Sequence, residues 1–219
     1  MATNKRIIEQ IKSDGLMPLF YHDDEAICVS IAQALYKGGS RIIEFTNRGK
    51  NALQNFKALV AERNSSMPDL LLAIGTIHTA NEAAAFIDAG ADMLVSPFFD
   101  AGVLSVAQQH DKTWMPGCMT ATEIHRAQTA GCNIVKIFPG NIVSPAFVTA
   151  VKPLFAEMDF VVTGGVDATA ESIDNWFTAG VCAVGMGSNL ISKKMMGQKE
   201  YAGIEKLTTE ILQITKRTK

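Results

Sequence analysis

Thr129-Ala130-Gly131-Cys132-Asn133-Ile134-Val135-Lys136-Ile137-Phe138-Pro139-Gly140 reads as the end of a helix, a buried strand and a stop. A helix C-terminus needs a residue that accepts left-handed backbone, and Gly131 supplies it. The run that follows is apolar and rich in β-branched residues, and Pro-Gly closes it. The same order recurs along the chain. Asp88-Ala89-Gly90 precedes residues 91–97, Thr178-Ala179-Gly180 precedes residues 181–185, and Lys37-Gly38-Gly39 is a looser copy ahead of residues 41–46. Further strands are expected at 16–21, 70–76, 114–117 and 160–164, and helices at about 24–37, 50–63 and 80–89. The second of these helices should end in the loop Ser65-Ser66-Met67-Pro68.

The strands are continuously apolar rather than alternating, as a parallel sheet covered on both faces requires. About eight strand–helix units in a chain of 219 residues point to a (β/α)8 TIM barrel, preceded by a lead-in helix over residues 4–14. One domain, residues 1–219, is expected. An open doubly wound sheet is the alternative, but no glycine-rich phosphate loop follows the first strand.

Composition narrows the function. Hydrophobic residues make up 47% and charged residues 19%, and the net charge is −2, so nothing draws the protein to nucleic acid or to an anionic membrane. No apolar run is long enough to span a bilayer, and the first residues lack the core of a signal peptide. The four cysteines, Cys28, Cys118, Cys132 and Cys182, are scattered without a CxxC pair and read as reduced core residues of a cytoplasmic protein. His22, His78, His110 and His125 lack ligand spacing, so no metal is expected. Trp114 and Trp176 read as packing residues.

Lys136 is the conspicuous residue. A lysine in a buried strand is costly unless paired or neutral, and a neutral amine is a nucleophile suited to imine formation with a ketone. Snorkelling to the surface or pairing with a carboxylate would also accommodate it. In a parallel barrel the active site lies at the C-terminal ends of the strands. Glu44, Arg48, Thr76, Pro97, Lys136, Thr163-Gly164-Gly165 and Gly187-Ser188 should stand there. Glu44 lies mid-run, where it would pair with Arg48 or Lys136 or move protons. Arg48 suits bidentate binding of a substrate carboxylate, although a lone loop arginine is more often a solvated surface group. Thr76 follows Gly75, which lets a ligand approach closely. The turns at Gly164-Gly165 and Gly187-Ser188 end the seventh and eighth strands, where backbone N–H groups often cradle a phosphate.

On the motifs Ile43-Glu44-Phe45-Thr46-Asn47-Arg48, Ile74-Gly75-Thr76, Val95-Ser96-Pro97, Met115-Pro116-Gly117, Val135-Lys136-Ile137-Phe138-Pro139, Thr163-Gly164-Gly165 and Gly187-Ser188, the chain resembles a known family. These are the pyruvate-dependent class I aldolases that cleave 2-keto-3-deoxy-6-phosphogluconate (KDPG) and 4-hydroxy-2-oxoglutarate (KHG). The resemblance implies a barrel that is a homotrimer, with no metal or other cofactor. It implies Lys136 as the Schiff-base residue, Glu44 as acid/base, and Arg48 with Thr76 on the pyruvate carboxylate. Pro97 and Phe138 would line the pyruvate pocket, with Thr163 on the substrate side, while Gly164, Gly165, Gly187 and Ser188 would hold phosphate. Asn47, Gly140 and Cys118-Met119-Thr120 depart from the usual residues, Asn47 standing where Leu is common. The expected activity is cleavage of a small-molecule 2-keto-4-hydroxy acid, phosphorylated, to pyruvate and an aldehyde. A phosphosugar isomerase or epimerase and a non-catalytic sugar-phosphate binder are the rivals.

Overall fold

The computed structural model describes residues 2–218. Helix α1 (Ala2–Asp14) leads into nine parallel strand segments: β1 (Leu16–Phe20), β2 (Ile42–Thr46), β3 (Leu71–Gly75), β4 (Met93–Val95), β5 (Thr113–Met115), β6 (Gly117–Cys118), β7 (Ile134–Ile137), β8 (Asp159–Thr163) and β9 (Ala183–Met186). Their order around the sheet is β5-β4-β3-β2-β1-β9-β8-β7-β6. Because β5 and β6 flank Pro116, they are two halves of one strand, and the circle nearly closes through that residue. The expected strand over 114–117 is therefore interrupted. Proline has no N–H to donate, so the strand changes partner there. β5 pairs with β4 and β6 with β7, while the Pro116 carbonyl accepts from Lys136 N at 2.9 Å.

Helices α2 (Glu25–Lys37), α3 (Ala52–Ser66), α4 (Ala80–Asp88), α5 (Ala101–Gln109), α6 (Ala121–Thr129), α7 (Gly140–Val151), α8 (Ala170–Ala179), α9 (Lys193–Gly197) and α10 (Tyr201–Arg217) complete the units. The glycines read as helix stops are left-handed, Gly131 at φ 86° among them. Helix α3 runs three residues beyond the expected Arg63 and takes in Ser65 and Ser66. Both hydroxyls donate back to the Glu62 carbonyl, at 3.1 and 3.3 Å, so residues that usually favour loops here close the last turn.

The strands sort their residues by period two. One set, Leu16, Phe20, Ile43, Phe45, Leu72, Ile74, Val135, Ile137, Phe160 and Val162, packs outward against the helices. The other, Met17, Ile42, Ala73, Met93, Met115, Ile134, Val161 and Ala183, fills the barrel, where Ile7 and Ile11 of α1 join it. The lead-in helix is thus a plug for the N-terminal end. The next inward position after Ile42 is Glu44, after Ala73 is Gly75, after Ile134 is Lys136, after Val161 is Thr163, and after Ala183 is Gly185. Apolar packing gives way to polar groups and bare backbone one step toward the C-terminal mouth.

Candidate active site

Lys136 is 4% and Glu44 2% exposed, and Lys136 Nζ lies 3.7 Å from Glu44 Oε1. Of the two cations expected as partners, Lys136 is the one beside Glu44. Arg48 is exposed, and its guanidinium has no hydrogen bond or ion pair among the described residues. A cation held without a protein partner at the mouth is available to an anionic ligand. Lys136 Nζ also sits 5.0 Å from the centre of the Phe138 ring, so Phe138 covers one side of the amine.

Bare backbone makes the room for this pair. A Cβ on Gly75 would overlap Glu44 Oε1, and one on Gly185 would overlap Thr163 Oγ1. Glycine at 75 is required because the Glu44 carboxylate lies across it. Thr76, next along, is half-buried and held at φ 63°. For a β-branched residue that is a strained conformation, of the kind that surrounding contacts must impose, often at binding sites.

The remaining expected residues frame the same mouth. Pro97 follows β4, and its carbonyl packs on Gly117 so closely that a Cβ there would collide with it. Thr163 is buried at the end of β8. Gly164 and Gly165 follow it with φ of 87° and 68°, a turn that presents successive N–H groups. Gly187 and exposed Ser188 follow β9. Asn189 ties the two turns together, donating to the Val166 carbonyl at 2.8 Å and to Asp167 Oδ1 at 3.1 Å. His78 lies beyond Thr76 with its ring 5.2 Å from that of Phe98. His110 caps α5 and His125 lies within α6. Trp114 is buried and donates to Ser96 Oγ at 2.9 Å, and Trp176 is buried as well. Cys28, Cys118 and Cys132 are buried, while Cys182 is partly exposed. Burial pushes the Cys28 and Cys118 thiols up to about 12, which leaves them protonated and inert at neutral pH. The sequence reading gave Gly75 room for a ligand, whereas the space is taken by the Glu44 carboxylate. It did not assign a role to Asn189, which follows the Gly187-Ser188 turn.

A buried amine beside a carboxylate, with a free guanidinium and two open glycine turns around it, can form an imine with a keto acid and hold both ends of it. The family profile "Aldolase: KDPG and KHG aldolase" matches residues 7–207. The chain belongs to the KDPG and KHG aldolase family. It is a class I aldolase, a carbon–carbon lyase. The 2-dehydro-3-deoxy-phosphogluconate aldolase of Treponema pallidum is 30% identical over 211 residues, covering 95% of this chain and 97% of that protein. The KHG/KDPG aldolase of Escherichia coli (strain K12) is 27% identical and covers 97% of this chain and 98% of its own. The crystal structure of the 2-keto-3-deoxy-6-phosphogluconate aldolase of Zymomonas mobilis ZM4 with 3-phosphoglycerate superposes with a TM-score of 0.82 at 25% identity, covering 94% of this chain and 95% of that one.

The overlap at Gly75 yields a direct test. Gly75→Ala removes no ionisable group from the aldolase but forces the Glu44 carboxylate to move. A displacement of this kind lowers kcat on the order of 10²-fold. We expect that loss in steady-state cleavage assays, with far-UV circular dichroism unchanged. A kcat within about twofold of wild type would show that the position of Glu44 does not matter to the chemistry.

Proposed function

We propose that the aldolase cleaves a 2-keto-3-deoxy-6-phospho sugar acid to pyruvate and glyceraldehyde 3-phosphate, and 4-hydroxy-2-oxoglutarate to pyruvate and glyoxylate as a second reaction. The observation that carries this reading is the buried Lys136 amine 3.7 Å from Glu44. Arg48 and Thr76 hold the substrate carboxylate, and Pro97, Phe138 and Thr163 line the pyruvate end. With the carboxylate anchored, the C2 ketone meets the neutral Lys136 amine in a reactive pose. Attack gives a carbinolamine. Glu44 then moves the protons that let hydroxide leave as water, forming the protonated imine. The gap of 3.7 Å is longer than a hydrogen bond, and such contacts tighten when substrate binds or are bridged by a water. The C4 hydroxyl gives up its proton to the Glu44 carboxylate, left ionised by the dehydration, as the C3–C4 bond breaks and its electron pair flows into the imine. Aldehyde departs and leaves the enamine of pyruvate. Protonation at C3 and hydrolysis of the imine release pyruvate and restore the amine.

An isomerase or a passive binder needs the glycine turns but has no use for a buried lysine beside a carboxylate. Borohydride separates the readings. Incubation with pyruvate and borohydride should inactivate the enzyme and leave a reduced three-carbon adduct on Lys136, read by peptide mass. Absence of the adduct, or its appearance on another lysine, would refute the assignment.

The distal phosphate falls to Gly164, Gly165, Gly187 and Ser188. The consecutive left-handed glycines and the phosphorylated ligand named with the Zymomonas structure support this. A remote group that positions the reacting carbon assists catalysis. The phosphorylated six-carbon substrate should therefore exceed its unphosphorylated analogue in kcat/KM. Ser188→Ala should cost about 1 kcal/mol, one hydrogen bond, on the phosphorylated substrate alone. Equal losses on both substrates would mean that these glycines serve only to turn the chain.

A homotrimer is part of the same proposal. Phe98, Met119 and Ile142 are large apolar side chains exposed at 46%, 42% and 61% on segments that follow β4, β6 and β7, and a second copy would cover them. Four free thiols, three of them buried, suit a cytoplasmic location.

A further inference from the structure

Arg48 and Thr76 stand on different loops, one after β2 and one after β3, yet must grip the same carboxylate. Among the described residues, one side chain spans those loops. Asn47 Nδ2 donates to Glu82 Oε1 at 3.2 Å, and the Asn47 backbone N–H donates to the Gly75 carbonyl at 2.8 Å. Glu82 is the third residue of α4 and completes a capping box with Thr79. Its other oxygen accepts from His78 N at 2.8 Å and Thr79 N at 3.1 Å. One half-buried carboxylate therefore holds the start of α4, the loop beyond Thr76 and the residue before Arg48.

This matters because Thr76 is strained. Its φ of 63° persists only if its neighbours on both sides are fixed. Asn47 holds the Gly75 carbonyl on one side, while Glu82 holds His78 N on the other. Ile77 N is bound separately to the Val95 carbonyl at 3.2 Å. The far flank of the Arg48 loop is fixed as well. Asn51 Nδ2 and Asn55 Nδ2 donate to the Asp23 carbonyl at 3.2 and 3.1 Å, and the Tyr21 hydroxyl, which donates to Asp23, fills the space a Cβ on Gly49 would need. Within that frame the Arg48 guanidinium has no partner among the described residues.

We propose that Asn47 and Glu82 are positioning residues that set Arg48 and Thr76 in register for the substrate carboxylate; the inference rests on the Schiff-base reading of the site. The tie acts on keto-acid affinity rather than on the amine. The test follows the rate of borohydride inactivation against pyruvate concentration. Asn47→Leu, close to Asn in size but unable to donate, should raise the half-saturating pyruvate about five- to tenfold, with the saturating rate changed less than about twofold. On an Arg48→Ala background the same substitution should add less than about twofold, since only Thr76 is left to be held in register. Exchanging the partners, Asn47→Asp with Glu82→Gln, rebuilds the contact with the donor on the other side and keeps a residue fit for the capping box. That pair should return half-saturation to within about twofold of wild type. An unchanged half-saturation in Asn47→Leu, a loss confined to the saturating rate, or a full loss on the Arg48→Ala background would overturn the tie while leaving the Schiff base standing. A wild-type enzyme that pyruvate and borohydride do not inactivate would overturn both.

Discussion

Two ionisable groups buried in an apolar barrel, Lys136 and Glu44, set the terms for everything around them. Taking such a pair out of water costs several kcal/mol per ion, and its mutual attraction does not reliably repay that. The barrel carries the pair because the rest of its interior is apolar and closed, plugged from below by Ile7 and Ile11. Removing one partner strands the other, at about 3–5 kcal/mol. An arrangement that contributes so little to stability is retained for its chemistry. A desolvated amine beside a group that can exchange protons with it has the parts imine formation requires.

The division of the mouth follows from this. In the reaction we propose, the amine and carboxylate mark the reacting carbon, and the two ends of a linear substrate extend from it toward different loops. On one side the loops after β2 and β3 carry a cation and a strained threonine, braced by side-chain hydrogen bonds. On the other, the loops after β8 and β9 carry glycine N–H groups, joined by Asn189. The proposal gives the substrate carboxylate a charged fork and its phosphate a set of backbone dipoles.

Much of this is legible in the sequence, for physical reasons that differ by element. The helix-ending glycines are legible because few residues tolerate left-handed backbone, and Gly39, Gly90, Gly131 and Gly180 all adopt it. Lys136 and Glu44 stand out because polar residues interrupt apolar runs. Which cation Glu44 pairs with was not legible. That depends on strand tilt and register across the barrel, which no local pattern encodes. The break at Pro116 was signalled by the proline itself, yet a four-residue apolar run masked it. Ser65 and Ser66 joined a helix because their hydroxyls found the Glu62 carbonyl, a choice that propensity leaves open. The Asn47–Glu82 contact joins residues 35 positions apart. Only the Thr79-to-Glu82 capping box at one end of it has a sequence signature.

The most direct test of the account is a crystal structure of the enzyme soaked in pyruvate. Electron density should run unbroken from Lys136 Nζ to the keto carbon, with the carboxylate between Arg48 and Thr76 and Glu44 at the new bond. Pyruvate bound without a covalent link, or linked with its carboxylate turned away from Arg48, would contradict it.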